Sequence, residues 1–154
     1  PEYVAYDFVR IKGAGGKISS SKGGAITVTD CLEVFEPELL RWIFVSYRPN
    51  TEFQISFDAD VIKIYEDYDR AVRLAHEAED GTDKDRKRKT ARRILTLSSP
   101  SHETCTPGSQ PPRVAPFRMV SMVLQAFGGD AQRAIAYLAK SLDIASEADL
   151  ARLG

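Results

Sequence analysis

The chain has 154 residues, 43% hydrophobic and 28% charged, with a formal net charge of −1. These are the values of an ordinary soluble globular protein of one domain or two small ones, and a nucleic-acid partner must then be sought in local charge patterning, not in the overall balance. No apolar run approaches the roughly 18 residues of a membrane span, and Pro1 to Gly13 lacks the basic start of a signal peptide. No membrane partner and a cytoplasmic location are therefore expected.

Residues 2–12, EYVAYDFVRIK, alternate with largely apolar residues on both sides, the pattern of a well-buried strand or a bent pair of strands. A chain that starts with proline inside such a pattern is expected to be cut from something larger. A glycine-rich loop, Gly13–Gly24, follows, and then AITV (Ala25–Val28) as a short extended piece. Thr29 and Asp30 are helix-capping types, so DCLEVF reads as a short helix. Pro37 suits the first turn of a second helix, PELLRWIFVSY. In it Leu39, Leu40, Ile43, Phe44 and Tyr47 leave only a narrow polar strip around Glu38 and Arg41, which predicts a mostly buried helix. RPNTEFQIS reads as a loop with a short strand. Asp58 then caps a long helix to about Glu79. Val61, Tyr65, Tyr68, Val72 and Ala75 lie on its inner face, and Lys63, Glu66, Arg70, Arg73 and Glu77 lie outside. Glu66–Arg70 and Asp69–Arg73 are acid-before-base pairs at i,i+4, each worth roughly 0.2–0.5 kcal/mol.

The composition shifts at Asp80. Residues 84–93 hold seven Lys or Arg, ILTLS is a short apolar run, and Ser99–Pro112 is a loop dense in Pro, Ser and Thr. Three helices are expected to close the chain. The first spans Pro116 to Phe127 and stops at Gly128–Gly129. The second is capped by Asp130, with Ala134, Ile135, Leu138 and Leu142 on one face. The third opens at Ser146 and Asp149 and carries Leu150 and Leu153. No internal repeat is present. The fold class is thus mainly α, with short strands and the glycine-rich loop at the N-terminus. Cys31 and Cys105 make neither a metal spacing nor a disulfide framework, and the His102/Cys105 pair lacks a second pair of ligands, so reduced thiols and no metal site are expected.

The loop GAGGKISSSKGG admits several readings. By composition it suits a slack connector. A G-x-x-x-x-G-K-[ST] phosphate loop fails, because Ile11 stands where the first glycine belongs and Ile18 follows Lys17. A dinucleotide G-x-G-x-x-G starting at Gly13 fails at Ile18. KISSS (Lys17–Ser21), however, resembles the K-M-S-K-S signature loop of class I aminoacyl-tRNA synthetases, with Ile18 in place of methionine and Ser20 in place of the second lysine. Beyond the loop, Asp30–Arg70 is similar to the region after the signature loop in class I lysyl-tRNA synthetases. The specific part is RPN-x-x-F-x-I-x-FD (Arg48–Asp58) with the YEDYDR that follows, and a weaker likeness continues through Pro116–Asp130.

The resemblance implies a C-terminal fragment with three parts: residues 1–28 end a catalytic domain, 29–79 form a helical stem-contact region, and 80–154 form part of a helical anticodon-binding region. It implies ATP with Mg2+ as substrate, and tRNA(Lys) and L-lysine as partners, the lysine pocket lying outside this chain. Lys17, Ser20 and Lys22 would be catalytic, with Ile18, Ser19 and Ser21 completing the pyrophosphate-binding loop. Ammonium and hydroxyl groups there would stabilise charge growing on the leaving pyrophosphate. The family's other signature, H-I-G-H, is absent: neither His76 nor His102 sits in such a motif, so the fragment alone is expected to be inactive. A free-standing tRNA-binding module is the alternative. Arg86, Lys87 and Arg88 are candidate tRNA phosphate contacts, diluted by Asp80, Asp83 and Asp85 beside them, and a merely solvated face is the competing reading. Arg113 and Arg118 have chemistry suited to the anticodon region. Tyr65 and Tyr68 are expected in the core, not as base-stacking platforms.

Overall fold

A computed structural model describes residues 3, 7, 9–12, 26–100, 105–111 and 115–142. In chain order these form β1 (Val9–Ile11), α1 (Val28–Leu32), α2 (Pro37–Ser46), β2 (Phe53–Ile55), α3 (Asp60–His76), α4 (Lys84–Ser98), α5 (Phe117–Ala126) and α6 (Ala131–Ser141). The architecture is mainly helical, as the periodicities predict. β1 and β2 pair in parallel, with Val9, Arg10 and Ile11 opposite Phe53, Gln54 and Ile55, and the Lys12 amide extends the ladder to the Ile55 carbonyl at 3.0 Å. Parallel strands need a crossover of a dozen or more residues; here the glycine-rich loop, α1 and α2 make up that connection.

α1 starts earlier than its capping residues suggest. Thr27 is the N-cap: its hydroxyl accepts from the Asp30 amide at 3.2 Å, and Asp30 accepts from the Thr27 amide at 2.7 Å. This reciprocal capping box draws Val28 into the helix instead of leaving AITV extended. Pro37 opens α2, which buries Leu39, Leu40 and Ile43. Phe44 and Tyr47, expected inside, are 49% and 45% exposed. They pack on Phe53 instead, at ring-centroid distances of 5.3 and 4.5 Å, forming an aromatic rim where α2 meets the strands.

At the start of α3 the Asp58 carboxylate accepts the Asp60 amide at 2.9 Å and the Ser56 hydroxyl at 2.5 Å. The helix ends at His76, three residues short of the expected Glu79. Its stripe of Tyr65, Tyr68, Val72 and Ala75 is buried. The basic run and ILTLS, read separately from sequence, are one helix, α4: Ala91, Leu95 and Ser98 continue a buried stripe from Arg88. The resulting core joins α1–α4 and both strands around Phe35, Leu39, Ile43, Ile55, Tyr65 and Leu95. Phe35 lies at its centre, 5.7 Å from Phe57 and 6.3 Å from Tyr65 between ring centroids.

After α4, the described part of the 99–112 loop is a turn at Thr106–Ser109. Gly108, at φ +77, donates its amide to the His76 carbonyl at 2.7 Å and so closes the C-terminus of α3. The helical hairpin α5–α6 holds a smaller cluster of Ala115 and Leu138 with Met119, Val120, Val123 and Leu142. Gly128 and Gly129, at φ +64 and +86, end α5 by returning amides to Gln125 and Leu124 carbonyls. Asp130 caps α6 through the Arg133 amide at 3.0 Å. Ala134 and Leu138 face inward, but Ile135, expected beside them, is exposed, because among the described residues α5 alone packs on α6 and covers one side of it. Among the contacts that tie the hairpin to the main core, Phe117 stacks on Tyr65 at 3.8 Å, and the Phe117 amide donates to the buried Asp69 carboxylate at 2.8 Å. Asp69, read from sequence as an outer partner for Arg73, thus serves an inward bond. The expected third helix, with Ser146, Asp149, Leu150 and Leu153, lies outside the described residues.

Candidate functional site

Lys17, Ile18, Ser19, Ser20, Ser21 and Lys22 lie outside the described residues, as does Arg113. The structure defines the two ends of the loop that carries them. At the entry, Lys12 follows β1 and its ammonium forms ion pairs with Asp60 and, at 3.4 Å, with Asp58. Hydrogen bonds to Asp60 and then Asp58 raise the Lys12 pKa above its usual value. The Asp58 carboxyl is lowered to about 2, first by the Ser56 hydroxyl and then by the Asp60 amide. Asp58 belongs to the RPN-x-x-F-x-I-x-FD run, so the most specific stretch of sequence fixes the strand end where the loop begins. An Arg10–Glu52 ion pair braces the same strand pair. At the exit, the Thr27–Asp30 capping box fixes the return, with the Thr27 amide and then its hydroxyl holding Asp30 below the usual carboxylate range.

The basic residues separate into two roles. The Arg88 side chain is only 9% exposed, and its guanidinium reaches Glu77 at 3.0 Å and Asp80 and Asp85 at 2.8 Å each. Asp80, then Asp85 and Glu77, push Arg88 further above its already high value, while Arg88 and then Thr82 hold Asp80 far below the ordinary carboxylate range. Arg92 turns the same way: it donates to the Ala75 carbonyl at 3.3 Å and the Glu77 carbonyl at 3.4 Å, and pairs with Glu79. These two arginines lock the α3–α4 turn, so Arg88 does not share a surface with the exposed Arg86 and Lys87. Arg86, Lys89, Thr90 and Arg93 instead line a shallow depression on the outer side of α4. Lys89 and Arg93 were not among the residues singled out from sequence. The signal that finds them is the i, i+3, i+7 spacing from Arg86, visible once 84–98 is read as one helix. Arg118 is elsewhere, on α5, where it pairs with Glu66 of α3.

Burial pushes both the Cys31 and Cys105 thiols above their usual pKa, which suits packing and not nucleophilic chemistry. His76 donates Nδ1–H to the Val72 carbonyl at 2.8 Å within its own helix. Among the described residues no group of three or more His, Cys, Asp or Glu could hold a metal ion, and no helix is long and apolar enough to cross a membrane.

Residues 1–101 match the family model described as tRNA synthetases class I (K). Among similar proteins, one named lysine--tRNA ligase from Borreliella burgdorferi is 45% identical over 138 residues, covering 90% of this chain and 25% of that protein. A lysine--tRNA ligase from Treponema pallidum is 43% identical over 143 residues, covering 89% of this chain and 25% of its own length. One from Pyrococcus horikoshii is 35% identical over 128 residues, covering 81% and 22%. The chain thus spans about a quarter of the length of the first two of these relatives.

Proposed function

The chain belongs to the class I (K) family of tRNA synthetases, and from that premise we propose that it forms part of a lysine–tRNA ligase, which activates L-lysine with ATP and transfers it to tRNA(Lys). The observation that carries this reading is the 45% identity to a protein of that name over 138 residues. The described frame supports the placement of the chemistry. The KISSS stretch stands between a strand end fixed by Lys12, Asp58 and Asp60 and a helix start fixed by Thr27 and Asp30.

Attack of the lysine carboxylate on the α-phosphate of ATP expels pyrophosphate, and negative charge accumulates on that leaving group. ATP is taken with Mg2+ as substrate. In this chain, Lys17 would meet the phosphates and stabilise the growing charge, Ser19, Ser20 and Ser21 would donate hydroxyl hydrogen bonds, and Lys22 would supply a second cation in place of the lysine that Ser20 replaces. Interactions stronger in the transition state than in the ground state raise kcat. The chain lacks an H-I-G-H sequence, so it is read as contributing the pyrophosphate side of a site completed elsewhere, and as inactive alone. Residues 1–28, 29–79 and 80–154 are proposed as catalytic-domain end, stem-contact region and anticodon-binding region, the last with Arg113 and Arg118.

The test is aminoacylation of tRNA(Lys) by the full-length protein that contains this chain. Lys17→Ala is expected to lower kcat by roughly 10²–10³-fold with little change in the KM for lysine. Full-length protein that binds tRNA(Lys) but does not charge it would overturn the ligase reading in favour of a binding module.

A further inference from the structure

We propose that the outer face of α4, through Arg86, Lys89 and Arg93, is a binding surface for consecutive backbone phosphates of one RNA strand. The inference rests on the tRNA-ligase reading and extends it to a surface that the comparisons leave without a role. Along the sequence the basic run is interleaved with acids, which makes its net field ambiguous. The structure separates the acids from most of the outward cations in space. Asp80 and Asp85 are both bound to the inward-turned Arg88, each at 2.8 Å, and Glu77 pairs with Arg88 at 3.0 Å. These carboxylates are gathered around Arg88 at the α3–α4 turn, on the side of the helix turned away from Arg86 and Arg93.

On that opposite side Arg86, Lys89 and Arg93 are exposed and surround one open depression with Thr90. Lys89 has a loose contact to Glu79 at 3.4 Å, which Glu79 shares with Arg92. Among the described residues no carboxylate lies within ion-pair distance of Arg86 or Arg93. Arg86 and Arg93 are seven residues apart, about two helical turns or roughly 10 Å along the axis. One strand of a DNA duplex presents about one phosphate per 3.4 Å of axis; with that figure as a guide to an RNA strand, three cations over roughly 10 Å match about three phosphates. Arginine forks and a lysine ammonium on a rigid, packed helix suit phosphate oxygens, and contacts to phosphates position a strand without reading its sequence. The occupant that fits is therefore an RNA backbone, bound without regard to sequence.

The experiment measures affinity of the full-length protein for tRNA(Lys) across a salt series, comparing wild type with the triple variant Arg86→Gln, Lys89→Gln, Arg93→Gln. A control, Lys63→Gln, Arg70→Gln, Arg73→Gln, removes the same charge from the outer face of α3. All six side chains are exposed, and thermal unfolding of each variant checks that the fold is kept. The α4 variant is expected to bind roughly 10-fold or more weakly at about 0.1 M salt, with the log–log salt slope reduced by about 2, while the control changes neither by comparable amounts. The KM for tRNA rises with kcat at saturating tRNA preserved, and Arg86→Lys, Arg93→Lys restores most of the affinity. An unchanged slope in the α4 variant, beside a wild type that binds tRNA, overturns this inference alone. Equal losses in variant and control overturn it in favour of a diffuse field. Unchanged tRNA affinity with lost binding of poly-L-glutamate overturns it in favour of an acidic protein partner. Wild-type protein that fails to bind tRNA overturns the functional reading as well.

Discussion

Asp69 provides the sharpest test of how the hairpin α5–α6 is held. Its carboxylate is 6% exposed and accepts the Phe117 amide at 2.8 Å. That amide is among the first N–H groups of α5, which have no partner within their own helix. Asp69→Ala removes a charge-assisted hydrogen bond worth about 1.5–3 kcal/mol, and the orphaned amide is only partly able to recover water. The bond also positions Phe117 against Tyr65, whose rings stack at 3.8 Å. A loss of about 2–3 kcal/mol is therefore expected, which for a protein of this size lowers Tm by roughly 4–12 °C. Arg73→Ala, by contrast, should cost no more than about 0.5 kcal/mol, since the residue is exposed. Urea denaturation followed by tyrosine fluorescence gives both values, and proteolysis after α4 reports whether the hairpin has detached. Equal and small effects of the two substitutions would refute the reasoning, because Asp69 would then behave as the surface partner that its spacing from Arg73 suggests.

Phe35→Ala, at the centre of the main core and 1% exposed, should cost about 3–5 kcal/mol, whereas Phe44→Ala on the aromatic rim should cost about 1 kcal/mol or less; denaturant midpoints distinguish them, and similar costs would contradict the placement of the two rings. Acid should destabilise the fold in a defined window. Asp58 is lowered to about 2, and Asp80 and Asp85 are lowered below their usual 3.8. The unfolded chain then binds more protons than the native one between about pH 4 and pH 2, so stability falls as pH falls through that range. A denaturation midpoint that stays level from pH 5 to pH 3 would count against these pairs, and Asp58→Asn should flatten part of the slope.

Much of the helical layout was legible from local pattern. The inner stripe of α3, the proline start of α2, the glycine stop of α5 and the Asp130 cap all depend on residues a few positions apart, whose effects do not wait for tertiary structure. The likeness carried by Lys17–Ser21 and Arg48–Asp58 pointed to a synthetase family, and the family match agrees. What local pattern missed was decided either by competing local bonds or by partners distant in sequence. Thr29 and Asp30 suggested a cap, but the reciprocal bonds select Thr27. Phe44 and Tyr47 had helical spacing for burial, yet Phe53, brought beside them by parallel pairing of β1 and β2, holds them at a half-exposed rim.

The basic run shows the division most plainly. Sequence alone determined that seven cations lie within residues 84–93 and that they sit beside acids. It could not say which cations meet which acids, because that depends on how α3 and α4 turn toward each other. Tertiary structure spends Arg88 and Arg92 on closing that turn and leaves Arg86, Lys89 and Arg93 outward. The physical reason is that charge is a property of composition, while its direction and its neutralisation are set by packing: the buried stripe of Ala91, Leu95 and Ser98 fixes the rotation of α4, and the rotation decides which side chains face water.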